Sequence, residues 1–252
     1  VTVHFIGAGP GAADLLTLRA VRLLQASPVC LYAGTYLDDA VLAHCPPGAK
    51  LVDTQHLDLD TITAELVAAH EAGHDVARLC SGDPSVFSAV AEQARRLDAA
   101  GVPWDVCPGV PAYAAAAALI GRELTVPEVA QSVVLTRTQR DSTRMPSGEQ
   151  LESFAATGAT LVLHLSIRRV REIAERLTPF YGADCPVVIG SRVSQPEELV
   201  LRGTLADIAE QAERHALKQA AVIIVGRAVN SRDFVESHLY SGAPRTPGAA
   251  QD

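Results

Sequence analysis

Three times in its first half this chain runs from a short β-type segment through a glycine-containing bend into a helical pattern. The bends are Gly7-Ala8-Gly9-Pro10-Gly11, Ser81-Gly82-Asp83-Pro84 and Pro108-Gly109-Val110-Pro111. A strand joined to the next through a helix returns in the same direction and pairs in parallel. The recurrence therefore predicts an α/β fold: a mostly parallel sheet in the N-terminal domain with helices on both faces. Ligands of such sheets bind at the carboxyl ends of the strands, where all three bends lie.

The pattern around the bends fills in the elements. Residues 2–6 read as a first strand. Leu15, Leu18, Val21 and Leu24 recur at helical spacing, with Asp14 as N-cap. Residues 29–32 and 75–80 read as strands, and 51–52 as a weak one. Residues 60–72 form a helix stopped by Gly73. Asp83 and Pro84 have the residue types of an N-cap and a first helical position for a helix over 84–100. Val102, Trp104 and Val106 alternate as a half-buried strand should, and 112–119 is mostly alanine, small enough for close packing by a helix or a ligand. A seam follows near 123–131. Beyond it come a strand at 132–137, a polar loop at 138–148, a buried strand at 159–165, a helix at 167–178, adjacent strands at 186–193 and 198–202, a helix at 204–215 and a strand at 221–225. The close spacing of strands around 186–202 predicts antiparallel pairing, hence a mixed sheet. The expected domains are 1–125 and 126–240, with a Pro/Gly/Ala-rich, disordered tail at 241–252.

Composition narrows the function. The 252 residues are 48% hydrophobic and carry a net charge of −8, which provides a core and argues against general affinity for nucleic acid. No apolar run approaches the ~18–20 residues of a membrane span. Five cysteines are scattered without a C-x-x-C, as in a chain of reduced thiols. The N-terminus reads as a strand and not as a secretory signal, so the expected location is the cytoplasm.

Gly7 to Ala12 fits the dinucleotide fingerprint G-x-G-x-x-G/A, which makes a nicotinamide-dependent reductase one alternative. Two details oppose it. Pro10 removes a backbone donor from the loop. The acid that should follow strand two is also missing, since that place holds Tyr32-Ala33-Gly34. His70-Glu71-Ala72-Gly73-His74 matches H-E-x-x-H, yet Gly73 ends the helix that would have to carry both histidines on one face, so no metal site is assigned. Neither G-x-S-x-G nor a Walker sequence occurs, and no catalytic residue is identified.

Taken in order, these bends resemble the tetrapyrrole (corrin/porphyrin) methyltransferase family. Further matching pieces are Asp14-Leu15-Leu16-Thr17, Thr160 to Leu165, Arg202-Gly203-Thr204-Leu205 and Ala221 to Gly226. Leu31 to Thr35, Thr136-Arg137 to Pro146, Ser194 to Glu198 and Glu236 to Tyr240 are similar to the corrin branch that methylates ring carbon C11. Ala33, where enzymes acting on uroporphyrinogen III usually carry Asp, favours that branch. The resemblance implies two α/β domains with the active site in the cleft between them. It implies S-adenosylmethionine as methyl donor, S-adenosylhomocysteine as product, a tetrapyrrole (precorrin) substrate and a homodimer. Donor contacts carried over by position are Pro10, Gly82, Asp83, Val86, Phe87, Pro111, Ala112, Leu165, Val193 and Ala221. Pro111 stands where Ser or Thr is common, and His164-Leu165-Ser166 departs from Tyr-Met-Gly/Ala. Arg122, Arg137, Arg140 and Arg144 are the candidates for holding the substrate's acetate and propionate groups. Cobalt-bearing precorrin and uroporphyrinogen III remain alternative substrates.

Overall fold

A computed structural model describes residues 1–34, 37–139, 144–232 and 234–236. The chain divides into two compact units. The first comprises Val1–Ile120 with Gly190–Val200 and Lys218–Val222, and the second Gly121–Ile189, Leu201–Leu217 and the chain from Ile223.

The first unit carries strands β1 (Val3–Gly7), β2 (Val29–Tyr32), β3 (Lys50–Asp53), β4 (Val76–Cys80) and β5 (Trp104–Cys107), in spatial order β3-β2-β4-β1-β5. The pairings β1/β4, β1/β5, β2/β3 and β2/β4 are all parallel. Helices α1 (Leu18–Ala26), α2 (Asp39–Leu42), α3 (Leu59–Glu71), α4 (Val90–Ala99) and α5 (Ala112–Leu119) connect and flank them. Side chains alternate across a strand, so two cores form. Val3, Phe5, Leu31 and Val76 pack against Ile62 and Leu66 of α3 and Leu97 of α4. Ile6, Cys30, Ala77 and Leu79 pack on the other face against Ala20 and Leu24 of α1.

In the second unit and the strand ends adjoining it, β6 (Val133–Arg137), β7 (Thr160–His164), β8 (Pro186–Ser191), β9 (Leu199–Thr204) and β10 (Ala221–Val225) form a sheet in the order β6-β7-β10-β8-β9. β6 and β7 are parallel while β7 and β10 are antiparallel, so the sheet is mixed as expected. Helices α6 (Leu151–Ala155), α7 (Val170–Tyr181) and α8 (Ile208–Arg214) accompany it. The Tyr181 hydroxyl donates to the Ala159 carbonyl at 2.6 Å, satisfying a buried polar group at the end of α7. No helix among the described residues is long and apolar enough to cross a membrane.

Three local expectations are corrected. Thr17, not Asp14, caps α1, its hydroxyl accepting from the Ala20 amide at 3.1 Å. Asp14 lies in a separate turn of 3₁₀ helix. β5 is an edge strand, and its Trp104 and Val106 are 36% and 44% exposed. Trp104 is held by an edge-on contact with Phe5 at 6.0 Å and by donating to Asp98. The helix expected at 84–100 begins only at Val90, and Asp83 caps nothing.

Candidate active site

Asp83 is drawn elsewhere by tertiary bonds. One carboxylate oxygen accepts from the Ser85 amide at 2.8 Å and from the Ser85 hydroxyl, closing a local turn. The other accepts from the Gly109 amide at 2.8 Å, in the next bend along the sheet. Burial alone would raise this carboxyl, but the bonds from Ser85 and Gly109 outweigh it and hold Asp83 below its ordinary value. The turn leaves Phe87 and Ala89 in left-handed backbone, at φ 54° and 52°, which is why the helix starts late.

The first bend joins the second through a two-way bridge. The Gly9 amide donates to the Gly82 carbonyl at 3.2 Å and the Gly82 amide to the Gly9 carbonyl at 2.7 Å. The third bend lies against both: a Cβ on Gly7 would sit 2.9 Å from the Gly82 carbonyl oxygen, and one on Gly109 would sit 2.7 Å from Gly7 Cα. These glycines permit backbone to pack on backbone. Gly82, at φ 69°, also brings Pro111 Cα and the Ala112 amide to within 3.5 and 3.6 Å of where its Cβ would be. Pro10, Gly82, Asp83, Pro111 and Ala112 are thus gathered at one end of one sheet. The alanines of α5 serve packing: Ala116 comes within 3.2 Å of a Cβ position on Gly190, beside Val193 and Val222.

Sequence reasoning assigned no role to Ser194 and Gln195, which the fold brings to the first bend. The Ala12 amide donates to Ser194 Oγ at 3.0 Å and Gln195 Nε2 donates to the Pro10 carbonyl at 3.1 Å. Three amides of the fingerprint loop are therefore committed, Ala8 to Cys80, Gly9 to Gly82 and Ala12 to Ser194, while Pro10 has none. A pyrophosphate needs such amides free. The fingerprint is present in sequence, but three of its amides are turned to protein oxygens. Apart from Asp83, whose oxygens are engaged within the loops, the candidate donor residues carry no charge and several are apolar. That chemistry fits an adenosyl sulfonium, which presents a nucleoside and a cation, better than a dinucleotide diphosphate.

Left-handed backbone marks the same places. Eight described non-glycine residues have positive φ, and six of them, Phe87, Ala89, Leu165, Arg192, Ser194 and Ala220, fall on or within two positions of a candidate donor residue. Strain of this kind concentrates at ligand sites. Phe87 and Leu165 are each 46% exposed, apolar side chains held out by their turns.

In the second unit, Leu165 follows β7 directly. Its turn is locked by buried Ser166, whose hydroxyl donates to the His164 carbonyl at 2.7 Å and accepts from the Thr138 amide at 2.8 Å. Burial pushes the His164 imidazole below its ordinary value. The same lock fixes the exit of β6, where Arg137 ends the strand. Arg122 donates to the Ser231 carbonyl at 3.2 Å, and Arg144 is exposed. Arg140 lies outside the described residues, as do Thr35 and residues 237–240 of the resemblance.

Residues 2–209 match the family of tetrapyrrole (corrin/porphyrin) methylases. The chain belongs to this family. It is 57% identical over 241 residues to a precorrin-4 C(11)-methyltransferase of Rhodococcus erythropolis, covering 96% of this chain and 97% of the relative. A precorrin-4 C(11)-methyltransferase of a Sinorhizobium species is 54% identical, with 96% of each chain covered. Among solved structures, a cobalt-precorrin-4 methyltransferase superposes with a TM-score of 0.87 at 31% identity, covering 91% of this chain and 96% of that one. A uroporphyrin-III C-methyltransferase of Thermus thermophilus, solved with S-adenosylhomocysteine, gives a TM-score of 0.77 at 31% identity and covers 91% and 99%.

Proposed function

We propose that this tetrapyrrole methylase transfers a methyl group from S-adenosylmethionine to C11 of precorrin-4, giving precorrin-5 in cobalamin biosynthesis. The convergence of three glycine bends, joined through Gly9, Gly82, Asp83 and Gly109, carries the donor half of this reading. Identity carries the acceptor half: 45% to 57% with relatives named for precorrin-4, against 33% and 32% with relatives named for cobalt-precorrin-4. The metal-free substrate is favoured on that difference.

S-adenosylmethionine supplies an electrophilic methyl on sulfur and leaves as a neutral thioether, so no leaving group has to be protonated. The chain's work is alignment and exclusion of water. Pro10, Gly82, Val86, Phe87, Pro111, Ala112, Val193 and Ala221 supply apolar and backbone surface to the donor, and the family resemblance adds Leu165. Asp83 holds two of the bends in register through Gly109. Arg122, Arg137, Arg140 and Arg144 hold the substrate carboxylates by charge-assisted bonds. The enzyme works as a cytoplasmic homodimer.

Incubation with precorrin-4 and methyl-labelled donor, followed by NMR of the product, tests the reaction: label at C11 is expected, and label at another carbon or none refutes it. Arg137→Ala and Arg144→Ala should each weaken tetrapyrrole binding by about tenfold, the loss of one charge-assisted bond, and leave S-adenosylhomocysteine binding unchanged. Titration of each ligand separately checks this.

A further inference from the structure

Arg78 lies in the middle of β4, on the face that packs against α3 and α4, and is 8% exposed. It is the one formally charged side chain among the buried described residues. Its hydrogen bonds all go to neutral oxygens: Nε donates to Gln93 Oε1 at 2.9 Å, and Nη1 to Thr54 Oγ1 and the Leu79 carbonyl at 3.3 Å each. A buried cation paired only with neutral groups gives the fold little net stability, because the cost of its desolvation offsets those bonds.

Its partners lead to the site. Gln93, 2% exposed on α4, turns its amide nitrogen back to the Ala89 carbonyl at 3.0 Å. Ala89 is the left-handed residue that starts α4, two positions after the left-handed Phe87. On the other side, Thr54 donates to the Tyr32 carbonyl through both its amide and its hydroxyl, at 2.7 and 3.0 Å. One guanidinium thus ties the exits of β2 and β3 to the segment carrying Val86 and Phe87.

We propose that Arg78 is a positioning residue for methyl-donor binding, acting through Gln93 and the Ala89 carbonyl to hold the Val86–Phe87 turn in its strained conformation. This rests on the reading of that turn as part of the donor site. Arg78 and Gln93 touch the turn's support and not the donor.

Three variants separate this role from a structural one. Arg78→Met removes the charge and keeps the volume. Gln93→Met cuts the relay. Gln93→Glu keeps an acceptor for Arg78, but its side chain cannot donate to the Ala89 carbonyl, which keeps only the 3.4 Å bond from the backbone amide of residue 93. Titration with S-adenosylhomocysteine should give a Kd raised by about tenfold in each, the scale of coupling through a packed network. The KM for S-adenosylmethionine should rise alike, with kcat at saturating donor unchanged. Arg78→Met and Gln93→Glu should both stay folded and melt cooperatively, so that the loss of affinity is not a loss of structure. In the double variant Arg78→Met/Gln93→Met the two effects should not add, since both break one relay. Wild-type affinity in folded Gln93→Glu overturns the proposal, whether or not Arg78→Met folds. A fall in kcat with Kd unchanged also overturns it. A wild-type protein that binds no S-adenosylhomocysteine overturns the donor reading itself, an outcome distinct from equal binding by wild type and variants.

Discussion

Asp83 sits in a sequence context, Asp-Pro before an amphipathic run, that suits a helix cap. A cap contributes about 0.5–2 kcal/mol, and a charge-assisted bond to a distant amide contributes as much, so local sequence cannot decide between them. Here Gly109 and Ser85 win. Asp83→Ala should destabilise the protein by about 1 kcal/mol, less than a fully buried bond because the carboxylate is partly exposed. Its carboxyl is held below the ordinary 3.8 in the folded state, so its contribution is present above that value and lost as pH falls through the lower, folded one. Urea midpoints of wild type and variant should therefore converge in acid. Gly109→Ala has no such escape: its methyl would meet Gly7 Cα at 2.7 Å, backbone against backbone. A loss of at least ~3 kcal/mol or failure to fold is expected, read by the same urea titration.

Among the elements, α6 and α7 show a staple with a measurable pH signature. Arg176 donates to both oxygens of Glu152 at 2.6 and 2.8 Å, and this bond is the main cause that lowers the Glu152 carboxyl to about 2. The pair is only partly buried, with 30% and 40% of the side chains exposed, so Glu152→Gln should cost about 0.5–1 kcal/mol. A carboxyl depressed on folding stabilises fully above its unfolded value of 4.5, and the contribution disappears as pH falls through about 2. Thermal melts of wild type and Glu152→Gln should differ at pH 7 and coincide near pH 2. The sequence predicts a helix over 167–178, and Val170, Ile173, Ala174 and Leu177 of α7 are all buried. Its ion-pair partner on α6 was not, since surface acids abound at every spacing.

For the molecule as a whole, ligand linkage decides between the two cofactors that a glycine-rich first bend suggests. A ligand at one hundred times its Kd stabilises the state it binds by about 2.7 kcal/mol, or roughly 5–10 °C for a chain of this size. S-adenosylhomocysteine should produce that rise in melting temperature, and NADH none. The committed amides of Ala8, Gly9 and Ala12 are the reason for expecting the asymmetry.

By itself the sequence determined the alternation of strand and helix, the three bends, the parallel first sheet and the mixed second one, and the family. Glycine, proline and hydrophobic period act over a few residues, and so they can be read in a few residues. Tertiary structure alone decided that Ser194 and Gln195, 182 and 185 positions along the chain from their partners Ala12 and Pro10, close the first bend. It alone placed Phe87, Leu165, Arg192 and Ser194 in left-handed backbone, where no residue type announces it. Whether an amide is free for a ligand depends on which distant oxygen reaches it first, and that is a property of the packed chain.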